Sequence, residues 1–549
     1  MKENIKQGPP TTSRLHSHGT FRQLAAWLPR HLLRAMLPIA AAGLISVPAA
    51  QAALTYSGNL SPVDPATWTS GTRVYIGYTA DGSLALDNGS TLVTSYGYLG
   101  NNAGVNGIAT ITGAGSSWTG SGNRFIGYNG NGALYISNGG TISNATGFVG
   151  YNATSTSFAY VDGAGSKWTN SSNVEVALKG TGTLSITNGG AVTSNYAYIG
   201  EQAGSKGYAY VDGPGSSWTN GSTFYVGWSG TGRLAISNGG NVANTGASTF
   251  YIGLSTGSNG SAAVNGLGSQ LSSAGQLVIG SGTSGKGALS ISSGGAVTAS
   301  ALSLNSLSRL TVDVGNGSSL AIGGGTGTLT NNGAIRLVAG AGAANGTFTP
   351  ISTGAWSGSG TVETLGGTWD AANHTVTVSS AAAGAAGSVL TADLSTTQRF
   401  LFTDGASGRS VGAAFQATTS PSSLTLTASA TSSSELTALQ SLLGTGQAVL
   451  SAWDFTTEGY TAGNPVYLSL FAGSGQNLSN LNIWHYDGSA WSKFDASDLA
   501  YDNTYASFTA TGLSGYALSG TAPVPIPAAA WLLGSGLIGL VGARRKFFA

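Results

Sequence analysis

Apolar residues in the first 300 positions fall into short alternating runs. Residues 131–136 put Leu134 and Ile136 on one face, and residues 158–162 alternate in the same way. Shorter runs such as Arg124-Phe125-Ile126-Gly127 and Phe148-Val149-Gly150 end in glycine. Turn signals such as Asn138-Gly139-Gly140 and Gly163-Ala164-Gly165 separate them. Alternating runs bounded by Gly and Asn clusters read as β-strands. No stretch before residue 310 holds a helical period with caps, so this region is expected to be all β.

The pattern repeats. The central Leu of the segment GTGTLSITNGGAV recurs at Leu84, Leu134, Leu184, Leu234 and Leu289, at spacings of 50, 50, 50 and 55 residues. Trp118, Trp168 and Trp218 mark a second position, Trp68 falls in the same phase, and Leu271 takes the slot in the last copy. A fixed period of this length indicates a repeat architecture. Strands this short bury a face only when stacked on the next copy. Each period contains two similar halves, which gives two coils of about 25 residues each. Residues 53–300 then make about ten coils, a rod of roughly 50 Å at about 4.8 Å per coil.

Three rows follow from this stacking. Asn88, Asn138, Asn188 and Asn238 share a slot, with Ser293 in the last copy; their amides are expected to form a ladder along the axis. The glycines after them supply positive φ at the corner. The Trp row has two readings, a buried rib or an exposed strip that stacks on sugar rings. A second aromatic slot holds Tyr78, Tyr128, Leu178 and Trp228. Tyr78, Tyr128 and Trp228 are the candidate glycan contacts.

The segments VDGAGSKWTN and GTLSITNGGAV resemble the passenger regions of autotransporter adhesins, over residues 60–300 and on towards 380. The resemblance implies a right-handed parallel β-helix and a role at a cell surface. The sequence departs from that family in having no run of about a dozen amphipathic strands, the translocating barrel.

Beyond residue 310 the strict period is lost, and residues 311–380 are expected to form irregular end coils and a cap. Residues 381–390, overlapping SSAAAGAAGS at 379–388, read as a linker. Residues 391–520 alternate with period two, carry a hairpin signal at Asp487-Gly488 and one helix candidate near 434–443. They are expected to form a small antiparallel β-sandwich. The run IWHYDGSAWSKFD is similar to domains that precede sorting signals in other exported bacterial proteins, which implies a surface module or stalk.

Composition narrows the classes. Charged residues are 7% of the 549, net charge is +1, and 41% are hydrophobic, which favours a folded turn-rich β protein over disorder. No basic stripe is present, so no nucleic-acid partner is expected. The chain has no cysteine, which excludes disulfides and thiolate metal sites.

The two ends carry addresses. Arg14, Arg22, Arg30 and Arg34 precede an apolar run at 35–47 and the small-x-small site Ala50-Gln51-Ala52. Residues 1–52 therefore read as a secretory signal, with Ala53 as the mature start. At the other end, Val524-Pro525-Ile526-Pro527-Ala528 leads into an apolar run at 529–541 and then Arg544-Arg545-Lys546. Residues 521–549 read as a C-terminal signal whose segment 528–543 crosses the membrane as a tilted helix, with a cytoplasmic basic end. Motif, apolar segment and basic end together resemble the VPLPA variety of PEP-CTERM sorting signals of Gram-negative bacteria, with Ile526 where Leu is usual. That resemblance implies an inner-membrane-anchored precursor, recognition by an exosortase, and delivery to the cell surface or an exopolysaccharide matrix.

No catalytic, cofactor or metal set emerges. Asp162 and Asp212 share a slot with Thr112 and Asn265 and read as turn residues. Glu175 and Glu201 read as isolated, as do Lys179 and Arg233, and His374 and His485 lie in different domains. The expected protein is an all-β, exported surface solenoid followed by a sandwich and a C-terminal sorting helix. It is expected to act in adhesion or biofilm structure without enzymatic chemistry. The alternative is a polysaccharide-binding lectin, or a polysaccharide lyase or hydrolase built on a β-helix.

Overall fold

Three short strands make one coil. Thr181–Thr187 turns at Asn188-Gly189 into Ala191–Ser194, which bends into Tyr196–Ile199; Gly200 then leads to the next coil at Lys206–Asp212. The computed structural model describes residues 53–418, 423–496 and 498–522. Stacked coils form three sheets, here called the Leu, Trp and Tyr sheets after Leu184, Trp168 and Tyr198. The Leu and Tyr sheets have 13 strands and the Trp sheet has 11. All strands of the Leu sheet but the first are parallel, which makes a β-solenoid of twelve coils. No helix among the described residues is long and apolar enough to cross a membrane. The signal site at Ala50, Gln51 and Ala52, the motif at 524–528, the apolar run and the basic end at 544–546 lie outside the described residues.

Volume explains why the period is two coils. Leu184 stacks between Ala159 and Ala209 in the Leu sheet. Trp168 stacks between Ile142 and Val192 in the Trp sheet. A coil with Ala in one sheet carries Trp in another, and the next coil carries Leu with Val. Each cross-section is thus filled to a similar volume without a void or a clash, as close packing requires. Trp118, Trp168 and Trp218 are all buried, which settles their row as core. Trp68 shares their phase but not their sheet. It follows the short helical turn Pro65–Thr67, donates its indole N–H to the Pro62 carbonyl at 3.1 Å, and packs over the first coil.

The expected Asn ladder is corrected. Asn residues 50 apart are two coils apart and cannot meet. Asn138 Nδ2 donates instead to Thr112 Oγ1 (3.0 Å), Asn188 Nδ2 to Asp162 Oδ1 (2.6 Å) and Asn238 Nδ2 to Asp212 Oδ1 (2.7 Å). Asp162 and Asp212 thereby tie their corners to the next coil. Asn188 as well as Gly189 has positive φ, 52° and 88°, so the corner needs two left-handed residues, and Asn is the residue after Gly that tolerates this best.

An amide and hydroxyl ladder does exist, inside the Trp corner. Asn144 Nδ2 donates to Asn170 Oδ1 (2.7 Å), Ser194 Oγ to Asn220 Oδ1 (2.8 Å) and Asn220 Nδ2 to Asn244 Oδ1 (2.9 Å). Each buried indole joins it: Trp118 through Thr94, Trp168 through Asn144 and Trp218 through Ser194. Every polar atom that the Trp residues bring into the core is satisfied in this way.

Both ends of the rod are closed. Ala53–Gly58 runs antiparallel on Gly82–Asp87, and Leu60–Ser61 antiparallel on Val74–Ile76, which covers the first open edge. At the other end the coils stay more regular than the sequence suggests: Arg309–Asp313, Ala334–Val338 and Thr361–Leu365 continue the Leu sheet. The antiparallel strands Gly346–Phe348, Thr375–Val378 and Thr368–Asp370 then seal the core with Val376 and Val378.

Two six-stranded sheets follow. The expected linker is corrected, because Ala382–Ala385 is a strand paired parallel with Arg399–Thr403. The one α-helix among the described residues, Ser433–Leu442, starts from a capping box of Ser432 and Glu435. This second unit folds back on the outer face of the Leu sheet. Outward residues Ser290, Thr311, Asp313 and Arg336 are buried beneath it. Asn265 exchanges hydrogen bonds with the backbone of Tyr501 at 2.9 and 3.0 Å, and Val338, Leu365, Ala414 and Tyr467 form a shared apolar cluster.

Candidate functional site

With the Leu sheet partly covered, the outer face of the Tyr sheet is left bearing two in-register columns. The first comprises Tyr75, Tyr98, Phe125, Phe148, Glu175, Tyr198, Tyr225 and Tyr251, one per coil. These residues precede the last apolar residue of their strands and point outward because side chains alternate. Their rings stack: Tyr98 on Phe125 at 4.6 Å, Phe125 on Phe148 at 4.9 Å, Tyr198 on Tyr225 at 5.0 Å and Tyr225 on Tyr251 at 5.4 Å.

The second column lies three residues further on, past the corner. It holds Tyr78, Asn101, Tyr128, Tyr151, Leu178, Glu201 and Trp228, so the three candidate glycan contacts share one column. Tyr128 and Tyr151 stand edge-on to Phe125 at 85° and 87° and cover it. Trp228 lies against Tyr225 at 4.8 Å and Tyr198 at 5.5 Å. Tyr78 is 39% exposed. At the N-terminal end, the Arg73 guanidinium lies 5.2 Å over the Tyr96 ring.

A glutamate interrupts each column, on adjacent coils. Glu175 interrupts the first and Glu201, one coil on, the second. Their reading as isolated residues is corrected, because Glu175 pairs in register with Tyr198, three residues before Glu201, and the two carboxyls lie close enough to perturb each other. The 25-residue coil brings them together although they are 26 apart in sequence. Glu175 is only 8% exposed and accepts from Asn173 Nδ2 at 3.0 Å. Glu201 Oε2 is shielded from solvent and has no hydrogen-bond partner. Burial, and for Glu201 the adjacent Glu175 charge, hold both carboxyls above the usual carboxylate range. Tyr151 and Tyr198 flank the pair, and burial together with the two acids raises both phenols. The backbone is also unusual here. The corner that glycine occupies in the neighbouring coils, at Gly150 and Gly200, is Ala177 at φ 65°. A non-glycine residue held there costs about 1–3 kcal/mol.

Other candidate residues do not converge. His374 packs between Trp356 and Trp369, while His485 Nε2 meets Ser514 Oγ at 2.8 Å in the second unit. Arg233 pairs with Asp495 on the surface at 3.0 Å. Among the described residues no group of three or more His, Cys, Asp or Glu side chains gathers as a metal set.

The sequence pattern brought out Tyr78, Tyr128 and Trp228 but missed the first column. Its signal is the residue before the last apolar position of YIG, YLG, FIG, FVG, VEV and YVG. Compared with known protein families, curated proteins and solved structures, the chain matches none.

Proposed function

We propose that this protein is an exported β-solenoid that works at the cell surface or in an exopolysaccharide matrix by extended contact, as an adhesive or structural element. The observation that supports this most directly is the aromatic face. It occupies seven of eight consecutive coils in register, interrupted at Glu175, outside the region that the second unit covers. Such a surface suits a long, repetitive partner better than a small metabolite. The export signal at 1–52 and the sorting signal at 521–549 give it a route, through the inner membrane and an exosortase-type enzyme.

The alternative, hydrolysis of polysaccharide, finds less support. Paired carboxylates that cleave glycosidic bonds stand about 5–9.5 Å apart, with the scissile bond between them. Glu175 is only 8% exposed and sits within a column between Phe148 and Tyr198, so it does not line an open cleft that could take a glycosidic bond.

Mass spectrometry of protein released from the surface of the producing cell tests the route. A mature form starting near Ala53 and ending near the 524–528 motif is expected. A surface form that retains residues 531–549 would rule out processing, and protein confined to the cytoplasm would sink the surface reading altogether.

A further inference from the structure

The aromatic face has one charged gap, and its chemistry narrows what the face would hold. Stacked and edge-on rings above and below the gap offer apolar platforms rimmed by phenol hydroxyls. Tyr and Trp in such settings bind partners that are apolar on one side and polar at the edge, as a pyranose ring is. At about 4.8 Å per coil, the platforms extend over roughly 34 Å along the axis.

The gap itself is anionic in potential. Glu175 is buried and Glu201 half-buried near it, the latter with one shielded oxygen that has no hydrogen-bond partner. Neither has a basic partner within salt-bridge distance among the described residues. A neutral ligand would leave that arrangement as costly as it stands, since buried acids are costly unless paired. An ammonium group would change it. It would let both carboxyls ionise and would lie between the rings of Tyr151 and Tyr198, where cation–π attraction adds to the ion pair.

We propose that the outer face of the Tyr sheet binds a glycan chain bearing free amines, its sugar rings on the aromatic platforms and an ammonium group in the gap at Glu175 and Glu201. The chemical class is an amino-sugar polymer whose nitrogens are at least partly unacetylated. Glu175 and Glu201 set the preference for amines, and Tyr151, Tyr198 and Trp228 supply contact area. This deepens the matrix-contact reading and rests on it. Purified protein tests it, so the outcome is separate from that of the surface mass spectrometry.

Calorimetric titration of the full chain at pH 7 would compare three probes: a glucosamine hexamer, an N-acetylglucosamine hexamer and pentalysine. The glucosamine hexamer is expected to bind, and acetylation to weaken it at least about tenfold. Glu175→Gln with Glu201→Gln should reduce that preference to less than about threefold, and Tyr151→Ala should weaken both hexamers. Proton release on binding, read from titrations in two buffers, is a further expected signature, because a nearby ammonium favours the ionised form of both carboxyls. Circular dichroism checks that the variants keep the fold, with Glu201→Gln alone as the milder change. Equal binding of both hexamers, pentalysine binding as tightly as glucosamine, or no binding by the unmodified chain would each overturn the proposal.

Discussion

The indole N–H of Trp168 donates to Oδ1 of Asn144, one coil earlier, at 2.8 Å, with both side chains shut off from water. Asn144 passes the bond on through its Nδ2 to Asn170. Replacing Asn144 with Ala strands the indole N–H and the Asn170 carbonyl oxygen together. A loss of about 1–3 kcal/mol is expected, measured as a lowered urea midpoint. Trp168→Phe, which removes the donor and leaves Asn144 in place, should cost less than Trp168→Ala, for which about 3–5 kcal/mol is expected.

Arg124 should behave in the opposite sense. Its guanidinium lies inside the rod, 4.7 Å over the Trp118 ring, in space left by Gly97 and Gly147 on the neighbouring coils. Nη1 donates to the Ser95 carbonyl at 2.8 Å, but Nε and Nη2 have no partner, and burial pushes the group down to about 9. Arg124→Met fills similar volume without an unpaired charge. It is expected to raise stability by about 1 kcal/mol or more in the same urea assay. A fall would mean that the cation–π contact outweighs desolvation.

Much of this was legible in the repeat, and some was not. Leu134, Leu184 and Leu234 gave the period because in their slot Leu alternates with Ala from coil to coil, up to Leu289, beyond which Leu310 and Ile335 stack directly. The same alternation hid the true neighbours: Asn188 was compared with Asn138, while in space it meets Asp162. Glu175 and Glu201 looked solitary for the same reason. Contacts one coil apart join unlike halves of the repeat, so similarity along the sequence does not mark them. Docking of the second unit was not legible at all, because outward residues such as Thr311 carry no mark of what will cover them.

Arg399 is the clamp of that docking. Buried, it donates from Nη1 to the Gly340 and Ala343 carbonyls at 3.1 and 2.9 Å, and from Nε and Nη2 to the Ser379 carbonyl at 3.1 and 2.6 Å. The fork geometry matters more than the charge, because every one of these acceptors is a neutral carbonyl. Arg399→Lys should therefore fail to substitute, at a cost of about 2–3 kcal/mol. Limited proteolysis should then cut within residues 379–388, where the unmodified chain resists. Equal resistance would show that the apolar cluster around Tyr467 suffices.

Asp313 gives the interface a pH dependence of predictable sign. Its Oδ2 accepts from the Ser293 N–H and from Asn316 Nδ2, Oδ1 has no partner, and burial pushes the carboxyl from 3.8 up to about 7, with Asp502 nearby adding repulsion. The folded state thus binds more protons than the unfolded one between these values. Stability from this group falls as pH rises from about 4 to about 7 and then levels off. Thermal midpoints of the unmodified chain minus those of Asp313→Asn, taken across that range, should trace this decline; a flat difference would refute it.

The pairing of Ala with Trp on one coil and Leu with Val on the next has a hereditary consequence. A gene for this rod can gain or lose length cleanly only in blocks encoding two coils. Deleting one coil would set Trp168 directly against Trp218, or Leu184 against Leu234, and the interior would be overfilled on one side and hollow on the other. Variants of different length should therefore differ by about 50 codons, with 25-codon differences eliminated at the level of folding.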